Sequence, residues 1–352
     1  MSNSKKRREH YDYMIKTRLW YSSRCLMGYL NSDAFRFICL IGPREAGKSF
    51  DIVEWLVKQW KEKDIPWIWY RLTDAEIKKL KQDNCRNAFE TMVVQKYKLD
   101  NLKLKGDNLY CDGKFMCTFK SLSTFHLDKG TTLYQADNKK PIHILLDEMN
   151  KEEGAKSTGP VCYQWANSLE TAVRSRQGGI RIFMIGNMTG LSSILAGCFN
   201  FIPLDGKFGI YKIRKKKAII HYMPETEPYK IRRQHATANL IDNGSSTFTN
   251  MIEFDRRNIY KGRLTRPLYT VWFKKQNDSI FTVWETQNNK LCVCPYQGEQ
   301  VKEIPMKHYL DKTYDDSLRN KILELYDLRI LLFRNLITQE KFKTELALLR
   351  TK

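Results

Sequence analysis

Gly42-Pro43-Arg44-Glu45-Ala46-Gly47-Lys48-Ser49 is a complete GxxxxGK[ST] string, set between a buried-type apolar run and an amphipathic helical pattern. Such a loop turns its backbone N–H groups inward, and the helix behind it offers further N–H donors to the same anion. In that arrangement Gly42, Arg44 and Gly47 line the phosphates of ATP, Lys48 reaches the β and γ oxygens, and Ser49 ligates Mg2+. An ordinary Gly-containing turn would have no need of those flanks.

Ile142-His143-Ile144-Leu145-Leu146-Asp147-Glu148 is an apolar strand that ends in two carboxylates. Asp147 is the candidate to hold magnesium through water. Glu148, expected on the opposite side of the pleat, is suited to orient and deprotonate an attacking water, which separates a hydrolase from a kinase. An acidic pair at a strand end is by itself a solvated turn; the upstream phosphate loop decides for catalysis. His143, in mid-strand, reads as a packed side chain.

Val161–Gln177 has helical periodicity, closes at Gly178-Gly179 and leads through the strand Ile180–Ile185 to Gly186-Asn187. Asn187 at that strand end resembles a γ-phosphate sensor. Arg174 and Arg176 fall in the last helical turn, where a cation favourably opposes the helix dipole. The sharper reading is a finger supplied to a neighbour's nucleotide.

These groups need a scaffold that brings strand ends together. Residues 1–205 alternate strand-like runs (Phe35–Ile41, Trp67–Tyr70, Ile142–Leu146, Ile180–Ile185) with helical patterns, the signature of an α/β P-loop domain on a mostly parallel sheet. After Ser49 the apolar residues Ile52, Val53, Leu56, Val57 and Trp60 form one helical stripe, and Asp64-Ile65-Pro66 turns back into a strand. Pro203-Leu204-Asp205-Gly206 marks a break, and residues 206–244, with short strands and then polar residues, read as a linker or hinge subdomain. Residues 245–352 read as a small α+β domain. Leu268–Lys274, Ser279–Glu285 and Lys290–Cys294 alternate as an antiparallel meander, followed by helices over Ser317–Leu336, capped by Asp316, and Gln339–Arg350, capped by Thr338.

The chain has 352 residues, 42% of them hydrophobic, which is enough for a real core and two domains. It carries 60 Lys and Arg against 39 Asp and Glu, a net charge of +21, which points to a polyanionic partner such as nucleic acid. Residues 206–352 are the more basic part, with 28 basic and 16 acidic residues, against 32 and 23 before them. Four consecutive cations, Arg214-Lys215-Lys216-Lys217, are a candidate nucleic-acid contact, whereas Ser4–Arg8 reads as a solvated end. Nine scattered cysteines without CxxC pairs suggest neither a zinc site nor a disulfide framework, and imply a reducing compartment. No apolar run approaches membrane-spanning length and no apolar stretch follows the N-terminal charges, so neither a membrane nor a secreted location is expected.

In this order the sequence resembles the DNA packaging ATPases of phi-29-type bacteriophages. The likeness runs through Ile41–Ser49 with Arg44 at the third loop position, Trp67-Ile68-Trp69-Tyr70-Arg71, Tyr110-Cys111-Asp112-Gly113-Lys114 and Leu122-Ser123. It continues through Asp147-Glu148, Thr171–Arg176 leading to Asn187, Phe281–Trp284 and Leu318-Arg319. The resemblance implies an ASCE-type ATPase assembled as a homopentameric ring at the portal vertex of a prohead in the host cytoplasm. It implies that Arg174 acts across the subunit interface, with Lys129 and Arg176 as further trans-acting candidates, and that Arg71 lies near the nucleotide. The C-terminal domain would resemble an RNase H-like nuclease without its catalytic centre, docked on a structural prohead RNA. An active centre of that kind needs clustered carboxylates for two metals, yet Leu268–Lys274 has none and Asp278 falls in a turn. The Arg214–Lys217 run departs from the resemblance.

The expected function is therefore ATP-driven translocation of double-stranded DNA into a capsid. Two alternatives stand beside it: a terminase-like motor with an active nuclease, and a nucleotide-switched nucleic-acid scaffold with little turnover. Glu148 speaks against the second, because a switch needs no water-activating base.

Overall fold

The computed structural model describes residues 27–30, 33–125, 141–150, 161–173, 179–187, 193–201, 208–235, 257–273, 279–296, 307–309, 316–328 and 330–350, with Tyr13 and Lys16. The chain forms two compact units, the first of residues 1–158, 164–192 and 203–252, the second of 159–163, 193–202 and 253–352.

In chain order the first unit contains α1 (Met27–Leu30), β1 (Phe37–Gly42), α2 (Lys48–Lys63), β2 (Trp67–Arg71), α3 (Asp74–Leu80), α4 (Thr91–Tyr97), β3 (Leu102–Lys105), β4 (Asn108–Cys111) and β5 (Lys114–Ser121). β6 (His143–Asp147), most of α5 (Val161–Val173), β7 (Ile182–Asn187), β8 (Gly209–Ile213), β9 (Ala218–Tyr222) and α7 (Glu227–Gln234) complete it. All its described strands join one nine-stranded sheet in the order β3-β4-β5-β2-β6-β7-β1-β9-β8. The central strands from β5 to β9 run parallel, and β3-β4-β5 and β9-β8 add antiparallel edges.

Parallel strands with both faces covered read as near-continuous apolar runs. β1 and β6 do so, and all five residues of β6 are buried. α2 lays Ile52, Val53, Leu56, Val57 and Trp60 into the core, each burial worth roughly 1.5–3 kcal/mol. Its far end is pinned: Trp60 Nε1 donates to Phe115 O at 2.7 Å, and Lys114 pairs with Asp64 at 2.9 Å. The Asp112-Gly113-Lys114 turn, with φ of 53° and 77° at its first two residues, thus anchors the C-terminal end of α2. α3 opens on a capping box, Thr73 bonding the Glu76 N–H while Glu76 bonds back to Thr73 N–H.

The short strands expected in residues 206–244 are β8 and β9, and they join this sheet rather than forming a separate linker or hinge subdomain. β9 pairs in parallel with β1, from Phe37 opposite Ala218 to Ile41 opposite Tyr222. Behind the four cations the five residues Ala218–Tyr222 are buried throughout.

The second unit holds α6 (Ser193–Phe199), β10 (Leu264–Phe273), β11 (Ser279–Thr286), β12 (Leu291–Pro295), β13 (Lys307–Tyr309), α8 (Asp316–Asp327), β14 (Leu332–Phe333) and α9 (Leu336–Arg350). Its sheet order is β13-β10-β11-β12-β14; the meander β10-β11-β12 is antiparallel, and β13 and β14 join in parallel. Phe342 of α9 fills the core, its ring 5.2–5.6 Å from those of Phe273, Phe281 and Phe333. The expected helix 317–336 is two elements, because the buried Leu331 and Phe333 draw the chain into β14. Asn335, not Thr338, caps α9: its Oδ1 accepts from the Thr338 N–H at 2.8 Å and the Thr338 hydroxyl at 3.0 Å.

Candidate functional site

The site lies where β1, β2, β6 and β7 end at their carboxyl edges, the side of an open α/β sheet that binds ligands. β1 runs into the phosphate loop, where Gly47 has φ 81° and α2 begins at Lys48 with no side chain capping it. The N–H groups of its first turn are therefore left for an anion. A residue with a Cβ would be strained at that φ, which is what reserves the position for glycine.

Lys48 is buried among acceptors. Its Nζ donates to Gly42 O at 3.1 Å, to Pro43 O, and to Asn187 Oδ1 at 3.1 Å. Burial lowers its pKa to about 8; Asp147 and Glu148 pull the other way, and Arg44 adds to the lowering. The Ser49 hydroxyl donates to Asp147 Oδ1 at 3.0 Å, bringing together a hydroxyl and a carboxylate oxygen, the hard donor pair that suits Mg2+. Asp147 itself is buried at the last position of β6.

Arg71 ends β2, the strand beside β6. Its Nη2 contacts Asp147 Oδ2 at 2.7 Å and its Nη1 contacts Glu148 Oε2 at 2.6 Å. Glu148 was expected on the opposite side of the pleat, but its φ of 67° takes the chain off the strand. Both carboxylates can then meet one guanidinium. A non-glycine residue held in that region costs about 1–3 kcal/mol, and such strain concentrates at functional sites.

Thus Gly42, Gly47, Lys48, Ser49, Arg71, Asp147, Glu148 and Asn187 converge, with Arg44 close enough to influence Lys48. Arg174, Arg176 and Lys129 lie outside the described residues. Arg214, Lys215, Lys216 and Lys217 are exposed, but the structure separates them from the site. Arg36 and Phe37 N–H groups both donate to Lys217 O, so the turn sits at the amino end of β1, about 20 Å of strand from the loop. His143 is packed as expected: its Nδ1 accepts the Arg181 N–H at 3.2 Å and its ring lies 4.9 Å from Trp55. Sequence reasoning missed Asn150, whose Nδ2 donates to Asn187 O at 2.7 Å; its position three residues beyond Asp147 was the available signal.

β7 lies between β6 and β1, so the strand bearing Asn187 separates the carboxylate strand from the phosphate-loop strand. This order and the loop it carries make the first unit a P-loop NTPase domain of the ASCE type. Compared as a whole, the chain is similar to that of the Phi-28 gp11 DNA packaging motor, with 16% identity and a TM-score of 0.69 over 95% of this chain and 98% of that one. It is also similar to a chain of the bacteriophage Phi-29 viral genome packaging motor assembly, with 18% identity and a TM-score of 0.56 over 93% of this chain and 99% of that one. The chain has the fold of the phi-29-type packaging motors. No protein-family model and no curated protein matches the sequence. No described helix is long and apolar enough to cross a membrane.

Proposed function

We propose that the chain is the ATPase subunit of a viral DNA packaging motor, hydrolysing ATP at the loop 42–49 to drive double-stranded DNA into a capsid. The observation that carries this is the joining of Lys48, Ser49, Asp147, Glu148 and Asn187 at one edge of the sheet, in a chain whose fold is that of packaging-motor subunits along nearly its whole length. The loop N–H groups and Lys48 hold the β and γ phosphates, and Asn187, already bonded to Lys48, reads the γ-phosphate. Ser49 and Asp147 would hold Mg2+, which when bound neutralises charge on the phosphoryl oxygens. Glu148 takes a proton from the attacking water as its oxygen bonds to the γ phosphorus and the bond to the β-phosphate oxygen breaks, giving ADP and phosphate.

The sequence resemblance extends the reading to a pentameric ring on the portal vertex of a prohead in the host cytoplasm, with a structural RNA as docking partner. Arg174 acts there on a neighbour's nucleotide, with Lys129 and Arg176 supporting it. A basic surface agrees with a nucleic-acid cargo, and Arg214–Lys217 are exposed for such contact. The test is displacement of a triplex-forming strand from linear duplex DNA by the purified chain. ATP-dependent displacement together with DNA-stimulated phosphate release supports the motor. Hydrolysis indifferent to duplex DNA, with no displacement, overturns it.

A further inference from the structure

The loop that leaves β6 is bonded to the end of β7 twice. Met149 N–H donates to Ile185 O at 2.7 Å, and Asn150 Nδ2 donates to Asn187 O at 2.7 Å. Between those two acceptors stands Gly186, where a Cβ would lie 2.8 Å from Met149 Cε and 3.3 Å from Asn150 Nδ2. A Cβ there would push aside the free end of the Met149 side chain and press the Asn150 amide by a few tenths of an ångström. Only the amide NH2 of Asn150 can donate to a carbonyl, which fixes the orientation of the side chain.

The two anchored segments carry the two groups that must act together. One holds Glu148 in its left-handed conformation, immediately before Met149. The other carries Asn187, whose side chain meets Lys48 at 3.1 Å. A strained residue persists only where its surroundings over-determine it, and the bonds from Met149 and Asn150 do this one and two residues downstream.

We propose that Asn150 is a positioning residue that locks the Glu148 loop to the Asn187 strand end, so that the base and the γ-phosphate contact keep one fixed separation. The proposal rests on the ATP-hydrolase reading above. It acts through geometry, and misplacing a reacting group by about 1 Å can cost on the order of a hundredfold in rate. Asn150 touches neither water nor phosphate in this account, so its loss should appear in kcat and leave nucleotide affinity alone.

The test compares the full-length chain with its Asn150→Ala, Asn150→Asp, Gly186→Ala and Glu148→Gln variants, measuring steady-state phosphate release and the Kd of ATP. Asn150→Asp keeps the shape but sets a carboxylate against the Asn187 carbonyl. Both Asn150 variants are expected to lose about tenfold to a hundredfold in kcat, and Gly186→Ala less, with Kd within about twofold of wild type. Combining Asn150→Ala with Glu148→Gln should add little to the loss from Glu148→Gln alone, because Asn150 acts through the placement of that base. If Asn150→Asp does not fold, Asn150→Ala carries the comparison. Wild-type kcat in the Asn150 variants while Glu148→Gln is inactive overturns the lock and leaves the hydrolase reading standing. Fully additive losses, or a Kd that rises with the fall in kcat, also overturn it. Normal turnover by Glu148→Gln removes the hydrolase reading and the lock with it.

Discussion

Arg71 Nη1 lies 2.6 Å from the Glu148 carboxylate while Nη2 of the same guanidinium holds Asp147 at 2.7 Å, so the cation neutralises both acids at once. Asp147 is buried, and removing the only partner of a buried charge costs about 3–5 kcal/mol. Here the Ser49 hydroxyl still reaches Asp147, and Glu148, 35% exposed at its side chain, adds no more than about 1 kcal/mol. Arg71→Ala is therefore expected to destabilise the metal-free protein by about 3 kcal/mol in urea unfolding. Saturating Mg2+ with a slowly hydrolysed ATP analogue should shrink that difference by supplying another cation. An equal loss with and without Mg2+ and nucleotide would contradict the pairing.

The lowered pKa of Lys48, about 8, sets the pH dependence of binding. Phosphates favour the protonated amine, so the empty protein must take up a proton to bind ATP once the pH passes that value. Affinity is expected to be flat below pH 8 and to fall by up to about tenfold per pH unit above it. Titration calorimetry from pH 7 to 9.5, in buffers of different ionisation heat, measures both effects. A constant Kd with no proton uptake would contradict the burial argument.

His143 works in the opposite range. Burial, with Arg181 and Lys63 nearby, depresses its pKa to about 3, so the folded chain keeps it neutral while the unfolded chain protonates it below about 6.5. The unfolded state binds the extra proton, and stability falls as pH drops from 6.5 towards 3, by about 1.4 kcal/mol per pH unit at most. His143→Asn, whose Oδ1 can still accept the Arg181 N–H, should flatten that acid limb in urea titrations. His221, likewise buried and pushed down to about 3, leaves part of the slope in place. An unchanged slope would rule out the role of His143.

The basic turn is separable from catalysis because it lies at the amino end of β1. Replacing Arg214, Lys215, Lys216 and Lys217 with Ser is expected to leave DNA-free ATP hydrolysis unchanged. It should weaken duplex binding and reduce the slope of log affinity against log salt by up to about 0.9 per lost phosphate contact. Binding and salt slope equal to wild type would assign the turn no contact with DNA.

The convergence of the candidate site residues was largely legible because its signals are local. A phosphate loop, a strand ending in Asp147-Glu148 and a strand ending in Asn187 each announce themselves within ten residues, and parallel sheets bring such strand ends together. What escaped the sequence depends on tertiary context. That β9 would pair with β1 had no local mark, and β14 is only two residues long, so the chain through it read as one helix. The left-handed Glu148 has no compositional mark. The meeting of Arg71 with both acids, and of Asn150 with Asn187, depends on which strands become neighbours.

The account turns on one measurement: phosphate release and ATP binding, taken together, for the wild-type chain and its Lys48→Ala and Glu148→Gln variants. The wild type is expected to bind and turn over ATP. Lys48→Ala should lose binding and turnover together, because it removes a ground-state phosphate contact. Glu148→Gln should bind ATP normally and lose turnover by a factor of at least about 10², the scale of a general base. Turnover by Glu148→Gln at the wild-type rate, or equal loss of binding in both variants, would contradict the assignment of base and phosphate cradle.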